Sequence, residues 1–240
     1  MSAILLVNNK SVDIGLKSRV STVGPEIDMV HEFIYTTTES FKHKKNKLAV
    51  FIEPMVDRAY PDIVFAEYNP TILDNWEDAR KNIEVIDMKI LENLRALRGC
   101  NSEILFRRTQ FNHKIILQSI ERLYDAGLIE RKNKVWKSKP LKEIYSLKRL
   151  MSVEAKIGNM DSLLRQADTN KWFASESYGL SQVKRPKDTT IQRFQNYGVG
   201  LCGLDKGKVI EFNKASKQKL ATNYMSWMFN EWVGRYEIAH

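Results

Sequence analysis

Two short, almost continuously apolar segments, LAVFI at 48–52 and IVFAEY at 63–68, most constrain the fold of this chain. Runs of this length, rich in β-branched and aromatic residues and bounded by turn residues, form buried strands. The second follows Pro61-Asp62 and stops at Asn69-Pro70. A third strand pattern, MSVEAKI at 151–157, alternates. Met151, Val153, Ala155 and Ile157 take one face, and Ser152, Glu154 and Lys156 the other. Helical spacing recurs around these strands. Ile27, Val30, Phe33 and Ile34 follow Pro25, and further helices are expected over 159–175 and 214–236. Residues 71–81 read as a short connecting helix and 183–193 as a basic loop. Residues 197–204 and 209–212 pair around the turn Asp205-Lys206-Gly207. Buried strands interleaved with helices imply an α/β fold.

Between the second and third strand patterns lies a block of different texture. Residues 87–97 put Met88, Ile90, Leu91, Leu94 and Leu97 on one helical face, and Gly99 stops the helix. Ser102 is expected to cap a second helix carrying Ile104, Leu105 and Phe106. A third starts near Asn112 and carries Ile115, Ile116, Ile120, Leu123 and Tyr124. Residues 128–131 and 135–137 then form a hairpin around Lys132-Asn133-Lys134. Three helices and a small hairpin in this order make a winged helix-turn-helix. The string IERLYDAGLIER at 120–131 resembles the recognition helix and first wing strand of bacterial winged-helix regulators.

Charge gives this block a partner. The 240 residues hold 38 Lys and Arg against 29 Asp and Glu, a net charge of +9, which favours a polyanion. From 107 to 139 there are nine basic residues and three acidic ones. Arg107, Arg108, Asn112, His113, Lys114, Gln118 and Arg122 are the candidate DNA contacts of the helices. Amides and guanidinium groups suit base edges there. Lys132, Lys134 and Lys137 on the wing suit phosphates.

The alternating strand supplies a second candidate site. Glu154 and Lys156 share one face of a strand read as central, a costly placement unless they are paired, hydrogen-bonded or metal-bound. Asp62, at the mouth of an apolar strand, can converge on them. Two carboxylates suit a hard divalent cation such as Mg²⁺ or Mn²⁺. A lysine beside them can orient water and offset charge on phosphate oxygens.

The set Asp62, Glu154 and Lys156 resembles the motif of the PD-(D/E)XK nuclease superfamily, whose fold is restriction-endonuclease-like. VEAKIGNMDSLLRQADTNKWFASESY at 153–178 is similar to that family's motif strand, following helix and next strand, and FQNYGVGLCGL at 194–204 to a late core strand. The resemblance implies that Asp62 and Glu154 bind the metal and that Lys156 is catalytic. It also implies an assisting acid on the first helix, for which Glu32 or Glu39 is placed, and an assisting glutamine after the motif, Gln166.

The expected architecture is therefore α/β: a restriction-endonuclease-like core over 1–83 and 140–213, interrupted by a winged helix-turn-helix at 84–139. A C-terminal amphipathic helix within 214–240 packs on the core or forms a homodimer face. The implied function is DNA binding with metal-dependent cleavage. The alternative is a non-catalytic DNA-binding regulator whose nuclease-like domain is inert. Cys100 and Cys202 make no disulfide framework or zinc site, the apolar run 4–7 is too short for a signal peptide, and no stretch suits a bilayer. These features read as a cytoplasmic protein. The glycines of 198–203 match G-x-G-x-x-G, but a strand rather than a helix follows. Gly198 and Gly200 are instead expected to permit close packing within a sheet.

Overall fold

Strands buried on both faces need helices on each side, and the chain builds such a layered arrangement. The computed structural model describes residues 4–7, 13–19, 24–41 and 45–239. In chain order its elements are β1 (Ile4–Val7), α1 (Pro25–Phe41), β2 (Lys47–Ile52), β3 (Ile63–Tyr68), α2 (Val85–Ala96), α3 (Ser102–Thr109) and α4 (His113–Asp125). Then follow β4 (Ile129–Lys132), β5 (Val135–Ser138), α5 (Leu141–Ile144), β6 (Leu147–Lys156), α6 (Met160–Thr169) and β7 (Glu176–Ser181). The last are α7 (Asp188–Asn196), β8 (Gly200–Asp205), β9 (Lys208–Asn213) and α8 (Tyr224–Ile238). They divide into two units: Met1–Tyr68 with Leu147–Ala221, and Asn69–Ser146 with Thr222–His240.

The first unit is mixed α/β. Its seven strands lie in the order β1-β2-β3-β6-β7-β8-β9. β2, β3 and β6 run antiparallel in succession, whereas β6, β7 and β8 run parallel through the crossover helices α6 and α7. α1 covers one face, where Met29, Val30 and Phe33 pack with Val50, Phe65, Val153 and Ala155. α6 and α7 cover the other through Leu163, Leu164, Ala167 and Phe194. Continuous burial in β2 and β3 leaves almost no polar side on either strand.

Several local expectations change. Residues 188–196 form a helix rather than a loop. Its apolar signal is only Ile191 and Phe194, one turn apart, which a reading dominated by basic residues passes over. The helix expected over 159–175 ends at Thr169 and tightens into a 3-10 turn, Asn170–Trp172. Gly200 does permit close packing, since a Cβ there would fall 2.2 Å from the Tyr178 ring. Gly198 instead has φ 66° just past α7, the left-handed conformation that glycine adopts at a helix end. Within the basic segment 42–47, residues 42–44 lie outside the described residues.

The second unit packs α2, α3 and α4 together with the hairpin β4–β5 and with α8. Asn101, not Ser102, caps α3, its side chain accepting the Ile104 N–H. The hairpin turns through Asn133 and Lys134, both at positive φ (49° and 63°), as a two-residue turn demands. The connecting segment at 71–81 is two 3-10 turns, Pro70–Asn75 and Asp78–Asn82.

The C-terminal expectation is corrected. Residues 214–223 are not helical, and α8 contacts α2 and the turn Asp78–Asn82. Every α8 residue from Met225 to Gly234 is buried within the chain itself. Its polar positions point inward too. Glu231 makes a two-pronged pair with Arg80 (2.6 and 3.0 Å), and Asn230 accepts the Ser146 backbone N–H. Among the described residues no helix is long and apolar enough to cross a membrane.

Candidate functional site

The alternation of β6 sends Val153 and Ala155 into the cluster under α1. Glu154 goes to the opposite side, where Asn170 Nδ2 donates to its Oε1 at 2.7 Å. Asp62 sits one residue before β3, at the end where Ile63 pairs with Val153. Its Oδ2 accepts the Ala155 N–H at 2.7 Å, so the carboxylate is tied to the main chain between Glu154 and Lys156. The three expected residues therefore come together at one end of adjacent strands.

Their electrostatics are those of crowded, dehydrated acids. Burial, and then the neighbouring Asp62, push the Glu154 carboxyl up to about 8, against the opposing pull of Asn170, Lys156 and Arg19. Burial also raises Asp62; the Ala155 N–H and Lys156 oppose this, whereas Glu53 and Glu26 add to it. Lys156 is half-buried and stabilises both anions.

Three further ionisable groups, Arg19, Glu26 and Glu53, belong to this region. A cavity of ≈ 270 Å³ is lined by Arg19, Pro25, Glu26, Glu53, Asp62 and Ile157. Glu154 lies outside this lining, buried against Asn170. Glu53 is buried in a left-handed conformation (φ 46°), an uncommon one for glutamate, and pairs with Arg19 at 2.7 Å. Its N–H donates to the Asp62 carbonyl, the bond that follows the Ile52–Ile63 register. Glu26 Oε1 accepts the Ile157 N–H at 3.4 Å.

The acid that α1 brings to this end is thus Glu26, in its first turn. Glu32 lies one to two turns farther along and faces the β8–β9 turn, 3.9 Å from a Cβ position on Gly207. Glu39 is farther still along α1 and is exposed. Gln166 is exposed on α6, and the amide that reaches Glu154 is Asn170, one helical turn later. Among the described residues no group of three or more His, Cys, Asp or Glu is placed to hold a metal ion.

In the second unit the expected DNA contacts separate into presented and committed groups. Lys114 and Gln118 are exposed one turn apart on α4, with Leu117 and Glu121 on the same side. Lys134 and Lys137 are exposed on the hairpin, and Lys132 pairs with Glu130 at 2.9 Å. Arg107 is exposed and pairs with Glu103 one turn back. Arg108 donates to Asn93 at 2.9 Å. Asn112 is the N-cap of α4, its side-chain oxygen accepting the Ile115 N–H, and His113 stacks on Phe106 with ring centroids 3.9 Å apart.

Arg122 departs from its expected place. Its guanidinium makes both prongs of a pair with Asp87 (2.7 and 2.9 Å), and Ser119 donates to the same carboxylate. Asp87 is fully buried and also accepts the Glu84 N–H at the start of α2. This network fastens α4 to α2 and occupies the fork that base reading would need.

Comparison of the chain with protein-family models, with curated proteins and with solved structures yields no match.

Proposed function

We propose that the chain is a nucleic-acid-binding, metal-dependent phosphodiesterase of the PD-(D/E)XK type, with Asp62, Glu154 and Lys156 as its active groups. The observation that carries this reading is the convergence of those three residues, from segments separated by residues 69–146, on one end of β3 and β6. The succession α1-β2-β3-β6-α6-β7 supports it, because the acid-bearing strand, the motif strand, the following helix and the next strand stand in the order that the resemblance implies.

The site's chemistry fits a hard divalent cation. The donors are carboxylate oxygens: burial and the Asp62 charge raise the Glu154 pKa, and burial with Glu53 and Glu26 raises that of Asp62. Asp62 and Glu154 would hold Mg²⁺ or Mn²⁺, with Glu26 and Glu53 nearby. The ion, when bound, supplies Lewis acidity at the phosphate and a more acidic water. The chain's own residues perform the rest. Lys156 Nζ offsets charge on a phosphate oxygen and orients the attacking water. The Ala155 N–H and Asn170 hold the two carboxylates in place.

The second unit would dock the polyanion. Three helices followed by a two-residue hairpin support a winged helix-turn-helix, with Lys114 and Gln118 on the exposed side of its third helix. A second reading, a DNA-binding regulator with an inert nuclease-like unit, is favoured by Glu154, which is buried against Asn170 outside the cavity that Asp62 lines. Incubation with labelled single-stranded, duplex and branched DNA in Mg²⁺ or Mn²⁺, against a chelator control, separates the two. Chelator-sensitive cleavage supports the enzyme, and intact substrate in every arm with retained binding supports the regulator.

A further inference from the structure

A row of cations crosses the sheet at its carboxyl end, beginning at Lys156 and running away from the carboxylates. β6, β7 and β8 are parallel, with Lys156 opposite Ser181 and Ser181 opposite Gly203, so their chain exits lie side by side. Lys156 ends β6. Lys184, Arg185 and Lys187 follow β7 within six residues, and Lys206 and Lys208 flank the β8–β9 turn. Lys184 Nζ bonds Asp205 at 2.9 Å, which joins the loop after β7 to that turn. All but Lys156 are exposed, and Arg185, Lys187 and Lys206 form no ion pair among the described residues. Acids at the same end of the sheet include Glu26, Asp161 at the start of α6, Asp188 at the start of α7, Asp205, and Glu32 beside Gly207.

Two further features suit an extended anion. Lys187 is the N-cap residue of the nine-residue α7 and gives its first turn no side-chain hydrogen bond, so the positive end of α7 opens on the same rim. Adjacent strands lie ~4.8 Å apart. The row from β6 to β9 thus spans about 15 Å, the axial length of roughly four base pairs at ~3.4 Å each. At its β6 end stand Asp62 and Glu154.

We propose that this rim is a second nucleic-acid contact, a phosphate-backbone track in the sheet-bearing unit itself that runs to the carboxylate site and acts independently of the α3–α4 module. It rests on the reading of the chain as a nucleic-acid binder but not on cleavage. It requires no base recognition, since lysine and arginine on flexible loops meet phosphates without reporting sequence.

The fold supplies a charge-matched control. Lys214, Lys217 and Lys219 are exposed at the opposite end of the same strands, where Ser216 bonds Gly198 and Gln218 bonds Ser175. The full-length triple variants Arg185→Ala/Lys187→Ala/Lys206→Ala and Lys214→Ala/Lys217→Ala/Lys219→Ala remove equal charge. Their binding to a single-stranded oligonucleotide and to a duplex is measured in EDTA across a salt series, after matched melting curves show that both fold. The rim variant should lower the slope of log affinity against log salt by about 2–3 and weaken binding on the order of tenfold to a hundredfold at 0.1 M salt. The control variant should leave the slope close to wild type. Equal effects of the two triples would reduce the rim to net charge and overturn the proposal while leaving nucleic-acid binding intact. A wild-type chain that binds neither probe overturns both. Loss of affinity for phosphatidylserine vesicles alone, with oligonucleotide binding unchanged, would assign the rim to a membrane surface and overturn it as well.

Discussion

Asp62 Oδ2 accepts the Ala155 N–H at 2.7 Å, so an acid at the start of one strand caps the main chain between the two ionisable groups of its neighbour. The bond continues the β3–β6 ladder by one step, using a side chain in place of a carbonyl. Asp62→Asn keeps an acceptor and removes the charge, and its metal-free stability should stay within about 1 kcal/mol of wild type. Asp62→Ala leaves a partly buried N–H unpaired and should destabilise by roughly 1–3 kcal/mol. Urea denaturation of both variants checks this. Equal midpoints would show that the hydrogen bond contributes nothing.

The raised Glu154 carboxyl has a pH signature. The folded protein holds its proton up to about 8, whereas the unfolded chain releases it near the ordinary glutamate value, 4.5. Between those values the folded state binds more protons, so this residue's contribution to stability declines as pH rises through the window. Glu154→Gln should therefore melt higher than wild type at pH 8.5 in chelator, with the difference shrinking towards pH 5. The same proton must leave before a cation binds. Mn²⁺ affinity, read by electron paramagnetic resonance, should rise about tenfold per pH unit below 8 and flatten above it. A flat profile would place Glu154 outside the binding set.

Arg122 is expected to act on stability rather than on sequence preference. Asp87→Ala strands a partly buried guanidinium and should destabilise by about 3 kcal/mol. Lys114→Ala and Gln118→Ala should change stability by less than ~0.5 kcal/mol while weakening DNA binding. Melting curves and fluorescence anisotropy on the same samples separate the two groups. If Arg122→Ala left melting unchanged and relaxed base preference, the assignment would reverse.

Gly234 gives the second unit a steric test. A Cβ there would lie 2.1 Å from the Trp76 ring, on which the Arg80 guanidinium stacks at 3.5 Å while pairing with buried Glu231. The gain in helix propensity on Gly234→Ala, about 1 kcal/mol, should lose to this clash, for a net destabilisation of roughly 2 kcal/mol. Trp76→Leu in the same chain should recover part of it. A stabilised single variant would contradict the packing.

What could be read from the sequence was local. Glu154 and Lys156 share a face because a strand repeats every two residues, and Asp62 is marked by the proline and apolar run around it. Glu53 needed the hairpin register, since only the Ile52–Ile63 pairing sets it beside Asp62. Asn170 and Arg19 reach the site from a helix end and an isolated bridge, and no periodicity marks either. Arg122 was misplaced because helical spacing reports a face but not a buried partner 35 residues away. The C-terminal helix misled for a related reason. Its polar residues Asn230 and Glu231 are buried against partners in the same unit, which an amphipathic pattern does not foretell.

The central claim is tested most directly by measuring binding and cleavage side by side for wild type and Lys156→Ala, with one labelled DNA in Mn²⁺ at pH 8.5. Wild type should bind and cut. Lys156→Ala should bind within about threefold of wild type and lose at least ~100-fold of the cleavage rate, because on the proposed reading it removes the group that acts on the reacting phosphate and its attacking water. Cleavage at the wild-type rate by Lys156→Ala, or no cleavage by the wild-type chain with binding intact, would contradict the assignment.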